Sequence, residues 1–528
     1  MENFIDEKEL DDIEKELKRK NKLNRYIIII PIISVCICCL VIFISIYFSI
    51  KNIKHNCEKG EGDKCLACNN KICASCNPKY KLINGKCKAS FSINATYEST
   101  IENQTVKIIN SSYFENIIDM TIDGQMINPY ENYEFNNTGI HQVFILINIE
   151  NLTYIDYMFS KINELTYISF SKEFNTKNII SMRNVFTECN ELKSIDISNF
   201  NTEKVEDMSY MFSGNQALSF ITFPNSETPN LLNMSYMFSN CPVLSSVNLS
   251  NFNPYNLISF SNVFYGCSSL SSIDISMINI EKVINMNYLF ANCYSLKIIK
   301  FSKYKTNSLE SINNIFQKCS SLSSIDLSNF NTENVVEMKA MFSYCSSLAS
   351  INLSNFNTTK VENMNSLFKD CISLTSIDLS NFKTPNLKYI DSMFENCQSL
   401  TSIDISHFNF ENIILADFLF MGCSSLISAN LYNFNSPNIY GIKSMFRDCT
   451  SITSIDLSNL STNKVKNMNN IFENCKNLRY LNISSFNKAT TYINFFKNLP
   501  SSGTIILKNE FLDQIRDMIP ENWTIIAY

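Results

Sequence analysis

The chain has 528 residues, of which 18% are charged, and its net charge is −6, so no basic patch points to nucleic acid as a partner. Only ten glycines and three histidines are present, and GxGxxG, P-loop, HExxH and GxSxG motifs are absent, so most catalytic and nucleotide-binding chemistry lacks its residues. We therefore expect a protein that is not an enzyme, without cofactors, catalytic residues or metal sites.

The first predicted element is an apolar helix at residues 26–50, YIIIIPIISVCICCLVIFISIYFSI, a run without a single charge. A helix of this length extends ~37 Å and can cross a hydrocarbon layer of ~30 Å. The run exceeds the apolar region of a typical cleaved signal peptide, and no A-x-A-like site follows it. We predict an uncleaved signal-anchor helix that spans a membrane once.

The residues around this span predict its orientation. Six basic residues lie within the 15 positions before it and four follow it, a modest bias that favours a cytosolic N-terminus. The part that follows is rich in cysteine and in N-x-S/T sequons, which suits an oxidising, glycosylating compartment. We predict a type II glycoprotein of the plasma membrane, with residues 1–25 in the cytosol and the C-terminal ectodomain at the cell surface. The candidate N-glycosylation sites are Asn94, Asn103, Asn110, Asn136 and Asn151.

Residues 51–88 form a cysteine-rich segment with the spacing C-x7-C-x2-C-x4-C-x2-C-x10-C. Zinc is one interpretation of its CxxC pairs, but zinc ribbons usually separate such pairs by a longer connection. Three disulfides fit better, because a segment this short buries little apolar surface and each cross-link restricts the unfolded chain by roughly 2–4 kcal/mol. We predict a disulfide-rich stalk, or a simple spacer, whose pairing the sequence leaves open. The cysteines are Cys57, Cys65, Cys68, Cys73, Cys76 and Cys87.

Between residues 89 and 155, short runs rich in Ile, Val, Phe, Tyr and Thr alternate with turn residues. TVKII (105–109) and HQVFILI (141–147) are examples. Such runs predict a small antiparallel sheet. Because a solenoid must cover the apolar end of its first coil, we interpret residues 89–155 as a β-rich N-terminal cap, with a separate ligand-binding domain as the alternative.

Residues 156–498 repeat a pattern in which a phenylalanine precedes a cysteine by three positions. From Phe186 to Phe472 every step is 26 residues, and Phe159 adds one more unit. Such strict spacing means that each unit fills the same volume against its neighbours. We predict a solenoid of about 13 units, followed by a C-terminal cap at residues 499–528.

Each unit carries the signals of a strand followed by a helix. Residues 322–327, LSSIDL, match the LxxLxL core of a leucine-rich repeat and alternate as a strand requires. Residues 335–345 place Val, Met, Phe and Cys at i, i+3, i+7 and i+10, the stripe of a helix, and a hydroxyl residue such as Thr332 stands where a helix would begin. The predicted fold is an α/β leucine-rich-repeat solenoid of strand-turn-helix units with parallel strands.

The repeated cysteines end this stripe and face the interior together with the phenylalanines. Cysteine is a small apolar filler in such a place. A ladder of disulfides between adjacent units is the alternative, but Asn215 takes one slot and leaves an odd number, so at least one thiol would stay unpaired. We predict buried free thiols at Cys189, Cys241, Cys267, Cys293, Cys319, Cys345, Cys371, Cys397, Cys423, Cys449 and Cys475.

The strand of each unit has a second face, on which polar side chains alternate with buried ones. A column of aspartates there could bind calcium, but Asn and Lys interrupt it, which avoids a repulsion of roughly 1 kcal/mol between carboxylates ~5 Å apart. We expect no metal, and we weigh a plain soluble sheet against a surface that binds extracellular proteins or glycans. The candidate ligand-facing residues are Ser324, Asp326, Ser328, Ser350, Asn352, Ser376, Asp378, Ser402 and Asp404.

The repeated unit MFxxCxSLxSIDLSNFNTxxVxxM and the ending ENWTIIAY (521–528) resemble the BspA-like leucine-rich-repeat surface proteins of bacteria and protists. The resemblance extends over about residues 89–528. It implies a cell-surface protein that binds macromolecules, such as host or matrix proteins or other cells, in adhesion or recognition. The alternative is a structural surface coat whose solenoids associate laterally.

Overall fold

A computed structural model describes residues 65–69, 72–76, 80–83 and 86–528. The predicted cytosolic tail and membrane helix, residues 1–50, lie outside the described residues, as does Cys57. Of the helices in the described part, none combines the length and the apolar character that a membrane crossing requires. The chain divides into two compact units, Met1–Ser90 and Phe91–Tyr528.

The described part of the first unit consists of two short hairpins. Strands β1 (Cys65–Asn69) and β2 (Ile72–Cys76) pair antiparallel, and so do β3 (Tyr80–Ile83) and β4 (Lys86–Ala89). A disulfide joins Cys76 at the end of β2 to Cys87 in β4. It closes the C-x10-C step at the end of the cysteine-rich segment, and the other pairings stay a prediction.

The second unit begins with an antiparallel sheet in which β5 (Phe91–Ser99) lies between β10 (Gly139–Ile147) and β11 (Leu165–Phe170). Beyond β10 the sheet continues with β7 (Ile117–Ile122) and β8 (Gln125–Ile127), and beyond β11 it continues with β12 (Ser194–Asp196) and β13 (Phe220–Thr222), so it passes without interruption from antiparallel to parallel pairing. This arrangement covers the apolar end of the first coil. The elements are β5 (Phe91–Ser99), β6 (Gln104–Lys107), a 3₁₀ helix (Ser111–Asn116), β7 (Ile117–Ile122), β8 (Gln125–Ile127), β9 (Asn132–Phe135) and β10 (Gly139–Ile147), with β6 paired to β9.

Parallel strands then recur at the LxxLxL position of nine coils; the first is six residues long and the other eight have three residues each. In the 26-residue coils the register follows the repeat length, because each paired residue lies 26 positions from its partner, as Ser272 does from Ile298. The strands are β11 (Leu165–Phe170), β12 (Ser194–Asp196), β13 (Phe220–Thr222), β14 (Ser272–Asp274), β15 (Ile298–Lys300), β16 (Ser402–Asp404), β17 (Ser428–Asn430), β18 (Ser454–Asp456) and β19 (Tyr480–Asn482). The strand half of the predicted unit is therefore present in these coils, shorter than a typical strand. Residues 246–248, 324–326, 350–352 and 376–378, at the same position of the other coils, are not in strands.

The C-terminal segment closes the other end of the array. Strands β20 (Ser502–Leu507) and β21 (Asn522–Ala527) extend the parallel sheet beyond β19, and between them lie α1 (Asn509–Ile515) and a 3₁₀ helix (Arg516–Met518). Phe511, Leu512 and Ile515 of α1 are buried. The last coil therefore does not expose its apolar end.

A second parallel ladder runs along the opposite side of each coil. It consists of single bridges between equivalent residues, for example from Ser311 to Glu337 and on to Asn363. Between the two ladders the phenylalanines form a continuous stack: Phe342 lies 5.5 Å from Phe316 and 5.7 Å from Phe368, measured between ring centroids. The core of the solenoid is thus a column of nearly parallel rings, each fully buried.

The helix predicted in each unit is wrong: none of the described coils contains it. Residues 339–344 instead form two successive tight turns, in which Ala340 and Tyr344 have left-handed φ angles of 51° and 62°. An α-helix cannot continue through such residues. Instead, alternate N–H groups bond to the next coil, as Phe342 donates to the carbonyl oxygen of Leu367 at 3.0 Å. The fold is therefore a mainly β solenoid of about 13 stacked coils rather than an α/β array.

Thr332, predicted to cap a helix, has a different role. Its hydroxyl donates to the carbonyl oxygen of Asn357 at 3.0 Å and accepts from the N–H of the same residue at 2.8 Å. The side chain is buried, so these bonds are shielded from water. Thr176, Thr306 and Thr462 join their coils to the next one by the same pair of bonds.

Candidate binding surface

The polar residues predicted to face a ligand are all exposed, but the Asp and Asn positions among them have a local structural task. Oδ1 of Asp326 accepts the backbone N–H of Ser328 at 2.9 Å, and Asn352 does the same for Ser354 at 3.0 Å. Asp and Asn alternate freely in this column because both supply the same acceptor oxygen. Hydrogen bonds from the serine two positions later lower the pKa of Asp274, Asp326, Asp378 and Asp404.

The structure places all eleven repeat cysteines in the core as free thiols. Each Sγ donates to a phenylalanine carbonyl oxygen of the preceding coil; for Cys345 and Phe316 the distance is 3.1 Å. Burial raises the pKa of Cys241 to about 12, so the thiol form dominates at neutral pH. These cysteines are structural donors and not nucleophiles. Within the described residues, no cluster of three His, Cys, Asp or Glu side chains could hold a metal ion.

We expect the eleven repeat cysteines to react as free thiols when the whole chain is denatured without a reductant. The native chain should react slowly, since the thiols are buried and protonated. Alkylation followed by peptide mass spectrometry measures this, and prior reduction should add Cys76 and Cys87 as an internal control. Disulfide-linked peptides from adjacent coils, or fewer than about eight free repeat thiols, would contradict the prediction that the repeat cysteines are free.

The predicted glycosylation sites differ in accessibility. Asn94, Asn103, Asn136 and Asn151 are exposed. Asn110 is half-buried, and its Oδ1 caps the 3₁₀ helix by accepting the N–H of Ser112 at 3.0 Å. Four of the five sequons are thus open to a glycan.

The sequence patterns did not indicate a groove that crosses the tight turns of four consecutive coils. It has a volume of about 720 Å³, and we name it the tyrosine groove. The rings of Tyr210 and Tyr236 stack at 4.5 Å with an angle of 5°, and Tyr265 meets Tyr288 edge to face at 6.3 Å. The groove is lined by Tyr210, Ser213, Tyr236, Ser239, Asn240, Ser261, Asn262, Tyr265, Asn285, Asn287 and Tyr288.

The turn backbone explains why these side chains point outward. Tyr210, Tyr236 and Tyr288 occupy the first left-handed position of their turns, with φ of 58°, 61° and 56°. Tyr210 and Tyr288 are each 37% exposed, although Phe212 and Phe290 of the same turns are fully buried. At the second left-handed position of these turns, glycine and asparagine alternate from coil to coil, as Gly214, Asn240, Gly266 and Asn292.

A smaller groove of about 390 Å³ continues the tyrosine groove and shares Ser213 and Asn240 with it. Gly266, on its wall, has a φ of 74°, and a Cβ atom there would lie 2.6 Å from Oδ1 of Asn240. Glycine avoids this steric clash and adopts the left-handed backbone conformation without strain. The two grooves therefore adjoin at Ser213 and Asn240, and the smaller one, unlike the tyrosine groove, has an acidic residue, Glu188, on its wall.

Two carboxylates in adjacent coils lie in a less favourable environment. Burial raises the pKa of Asp391 and of Asp417, and the charge of Asp391 raises that of Asp417 further. Oδ1 of Asp417 accepts the N–H of Lys443 at 2.6 Å, and the lysine charge opposes the shift in part. In equivalent positions Asn287 and Asn313 accept the same backbone bond without a charge.

We expect the substitution Asp417→Asn to raise the free energy of unfolding at pH 7 by roughly 0.5–1 kcal/mol, because it removes a half-buried charge and keeps the acceptor. A raised pKa means that the folded chain binds this proton more tightly than the unfolded chain. The charge penalty is therefore present at pH 7, and the gain should vanish as the pH falls toward the ordinary aspartate pKa. Urea unfolding at several pH values measures it.

Asp378→Asn is the matched control for this prediction. Asp378 is exposed, and hydrogen bonds from Ser380 lower its pKa, so its charge is favoured in the folded chain. Its replacement should give no gain at pH 7. A gain for Asp417→Asn that is independent of pH would show that charge is not the cause.

The stacked coils with two parallel ladders define the chain as a tandem-repeat solenoid protein. It belongs to the family described as "Mycoplasma protein of unknown function, DUF285", which matches residues 126–243, 153–269, 216–324, 310–426 and 392–504. The overlapping matches together span residues 126–504, most of the chain. The family description assigns no activity.

No curated protein matches the chain. Among solved structures, a leucine-rich-repeat protein of Leptospira interrogans is 13% identical, with coverage of 64% of this chain and 90% of that chain and a TM-score of 0.23. The pneumococcal vaccine antigen PcpA is also 13% identical, with 64% and 79% coverage and a TM-score of 0.28. The TLR13 chain of a TLR13–ssRNA13 complex is 13% identical, with coverage of 66% of this chain and 85% of that chain and a TM-score of 0.13. At these TM-scores, no conclusion about this chain rests on the likenesses.

Proposed function

We propose that the protein is a cell-surface recognition protein that binds extracellular macromolecules through its repeat solenoid and catalyses no reaction. The observation that carries this proposal is the tyrosine groove, where aromatic side chains stand outside the core instead of filling it. Exposed tyrosine beside serine and asparagine is typical of recognition surfaces, since tyrosine offers a large rigid contact at low entropic cost. The resemblance of the repeat to BspA-like surface proteins supports an adhesive role.

Binding of the whole chain to matrix proteins, to immobilised glycans and to intact cells tests this proposal. We expect saturable binding that free protein competes away. The rival function is a surface coat that assembles laterally through its repeats. Concentration-dependent self-association in the ultracentrifuge, without binding to any of these targets, would overturn the recognition function.

The proposed location is the plasma membrane, with the segment at residues 26–50 as a signal anchor and the N-terminus in the cytosol. The apolar run and the sequons downstream of it support this orientation. Protease added to intact cells is expected to remove a C-terminal epitope and to spare one placed before residue 26. Protection of the C-terminal epitope would contradict the orientation.

A further inference from the structure

We propose that the tyrosine groove binds a neutral glycan, an uncharged oligosaccharide that runs across the tight turns of adjacent coils. This inference rests on the proposed recognition function and names the chemical class of ligand for one site on the solenoid. Its supports are the distribution of charge along the repeats, the hydrogen-bonding groups of the groove and the backbone that lines it.

Charge is absent from the groove and from the turns that build it. The four turn segments at residues 209–214, 235–240, 261–266 and 287–292 read SYMFSG, SYMFSN, SNVFYG and NYLFAN. The equivalent segments of the other eight coils from residue 183 to residue 474 each contain at least one Lys, Arg, Asp or Glu. The neutral stretch is therefore confined to the coils that carry the groove, and it coincides with three of the tyrosines in the left-handed position.

An uncharged surface excludes ligands that depend on ion pairs. Nucleic acids and acidic polysaccharides need cationic partners for most of their affinity, and the groove offers none. Charged peptides would leave their side chains without partners as well, which costs binding energy. Uncharged ligands remain, and their recognition must come from contact area and hydrogen bonds.

The groove supplies both donors and acceptors from its side chains. Asparagine offers an acceptor oxygen and two donors, and tyrosine and serine hydroxyls act in either sense. Within the described residues, no hydrogen bond inside the chain uses the side-chain amide of Asn262, and Asn287 uses only its Oδ1, which accepts from Asn313 and Ser311. A sugar hydroxyl likewise donates and accepts, so it can satisfy these mixed groups.

The backbone of the groove favours a glycan over an extended peptide. The N–H groups of Tyr210, Tyr236 and Asn262 donate to the next coil, with N···O distances of 3.0, 3.0 and 2.9 Å. They are therefore not available for the main-chain pairing by which a sheet edge binds a peptide strand. A proline-rich peptide, whose backbone presents mainly carbonyl acceptors, would use only the donors of the groove.

The ring geometry fits a chain of sugar units. Tyr210 and Tyr288 are each 37% exposed and lie three coils apart on one surface. Coil spacing along this face follows the core stack, where Phe238 and Phe264 are 5.5 Å apart. Aromatic side chains with a polar tip bind ligands that have apolar faces and polar edges, which describes a pyranose ring.

The test is binding of the whole chain to an array of neutral oligosaccharides, with heparin, sialylated glycans and a proline-rich peptide as comparison probes. The test variant is Tyr210→Asn combined with Tyr288→Asn. Asparagine already occupies this left-handed position at Asn184, Asn262 and Asn314, so the variant is expected to fold. The matched control is Tyr344→Asn, a tyrosine that is 41% exposed and left-handed but lies in a charged turn outside the groove.

We expect saturable binding of at least one neutral oligosaccharide, weakened at least tenfold by the double variant and unchanged by Tyr344→Asn. Addition of salt should leave the affinity unchanged, because no ion pair contributes. Preference for heparin, sialylated glycans or the proline-rich peptide would overturn the inference. Binding to matrix proteins or cells without any binding to neutral glycans would overturn it too, while leaving the recognition function in place.

Discussion

Replacement of Phe342 by alanine is expected to lower the free energy of unfolding by about 3–5 kcal/mol. Its ring is fully buried, and it contacts the rings of Phe316 and Phe368 on either side. The loss combines the transfer energy of the ring with the cost of the cavity left behind. The cavity cannot collapse fully, because the bridges through Ser311, Glu337 and Asn363 and the bond from the N–H of Phe342 to the next coil hold the adjacent coils at a fixed spacing.

Urea unfolding followed by circular dichroism measures this loss. Phe342→Leu keeps most of the volume and should cost less than about 1.5 kcal/mol, and Tyr344→Ala, in the same turn but exposed, should change stability by less than about 0.5 kcal/mol. Because each coil contacts only its neighbours, amide exchange should accelerate most in the coils beside Phe342. An alanine variant as stable as Tyr344→Ala would show that the stack does not hold the solenoid together.

The repeat length, the position of the strand and the burial of the repeated phenylalanines and cysteines could be predicted from the sequence, because each depends on spacing alone. The helix could not, since a stripe at i, i+3, i+7 and i+10 fits two four-residue turns as well as a helix. The distinguishing signal was the residue before each cysteine slot: Gly214, Gly266 and Gly422 stand there, and Asn or Asp in many other units. These are the residues that adopt left-handed φ most readily.

The candidate site was less accessible to sequence reasoning. The Asp and Asn column is exposed, as the alternation along the strand predicts, but the sequence did not reveal that each of these side chains also closes a turn two residues further on, as Asp326 does. The tyrosine groove depends on Tyr210 and Tyr236, which are 26 residues apart and meet only once the turn geometry is known. The absence of charge from four consecutive turns is visible in the sequence. It indicates an uncharged binding surface only once the structure shows that these turns line the same groove.

Asn215 takes the one slot between Cys189 and Cys475 that lacks a cysteine, and it is expected to contribute more to the free energy of unfolding than any one repeat cysteine. Replacement by leucine should lower the free energy of unfolding by about 2–4 kcal/mol, because it leaves buried polar groups without partners. Oδ1 of Asn215 accepts the N–H of Cys189 at 2.9 Å, and Nδ2 donates to the carbonyl oxygens of Phe186 and Phe212 at 2.8 and 2.6 Å. The side chain is fully buried, so water cannot replace these bonds.

Asn215→Cys is the control that the repeat itself provides. A thiol in this slot can donate to Phe186 as Cys241 donates to Phe212 at 3.1 Å, so the variant should lose only about 1 kcal/mol, the value of an ordinary hydrogen bond. Urea unfolding of both variants at pH 7 gives the comparison. Equal losses for leucine and cysteine would mean that a donor in this slot does not contribute to stability. A larger loss for leucine is expected, because only the cysteine variant can still donate to the carbonyl oxygen of Phe186, as Cys241 donates to Phe212.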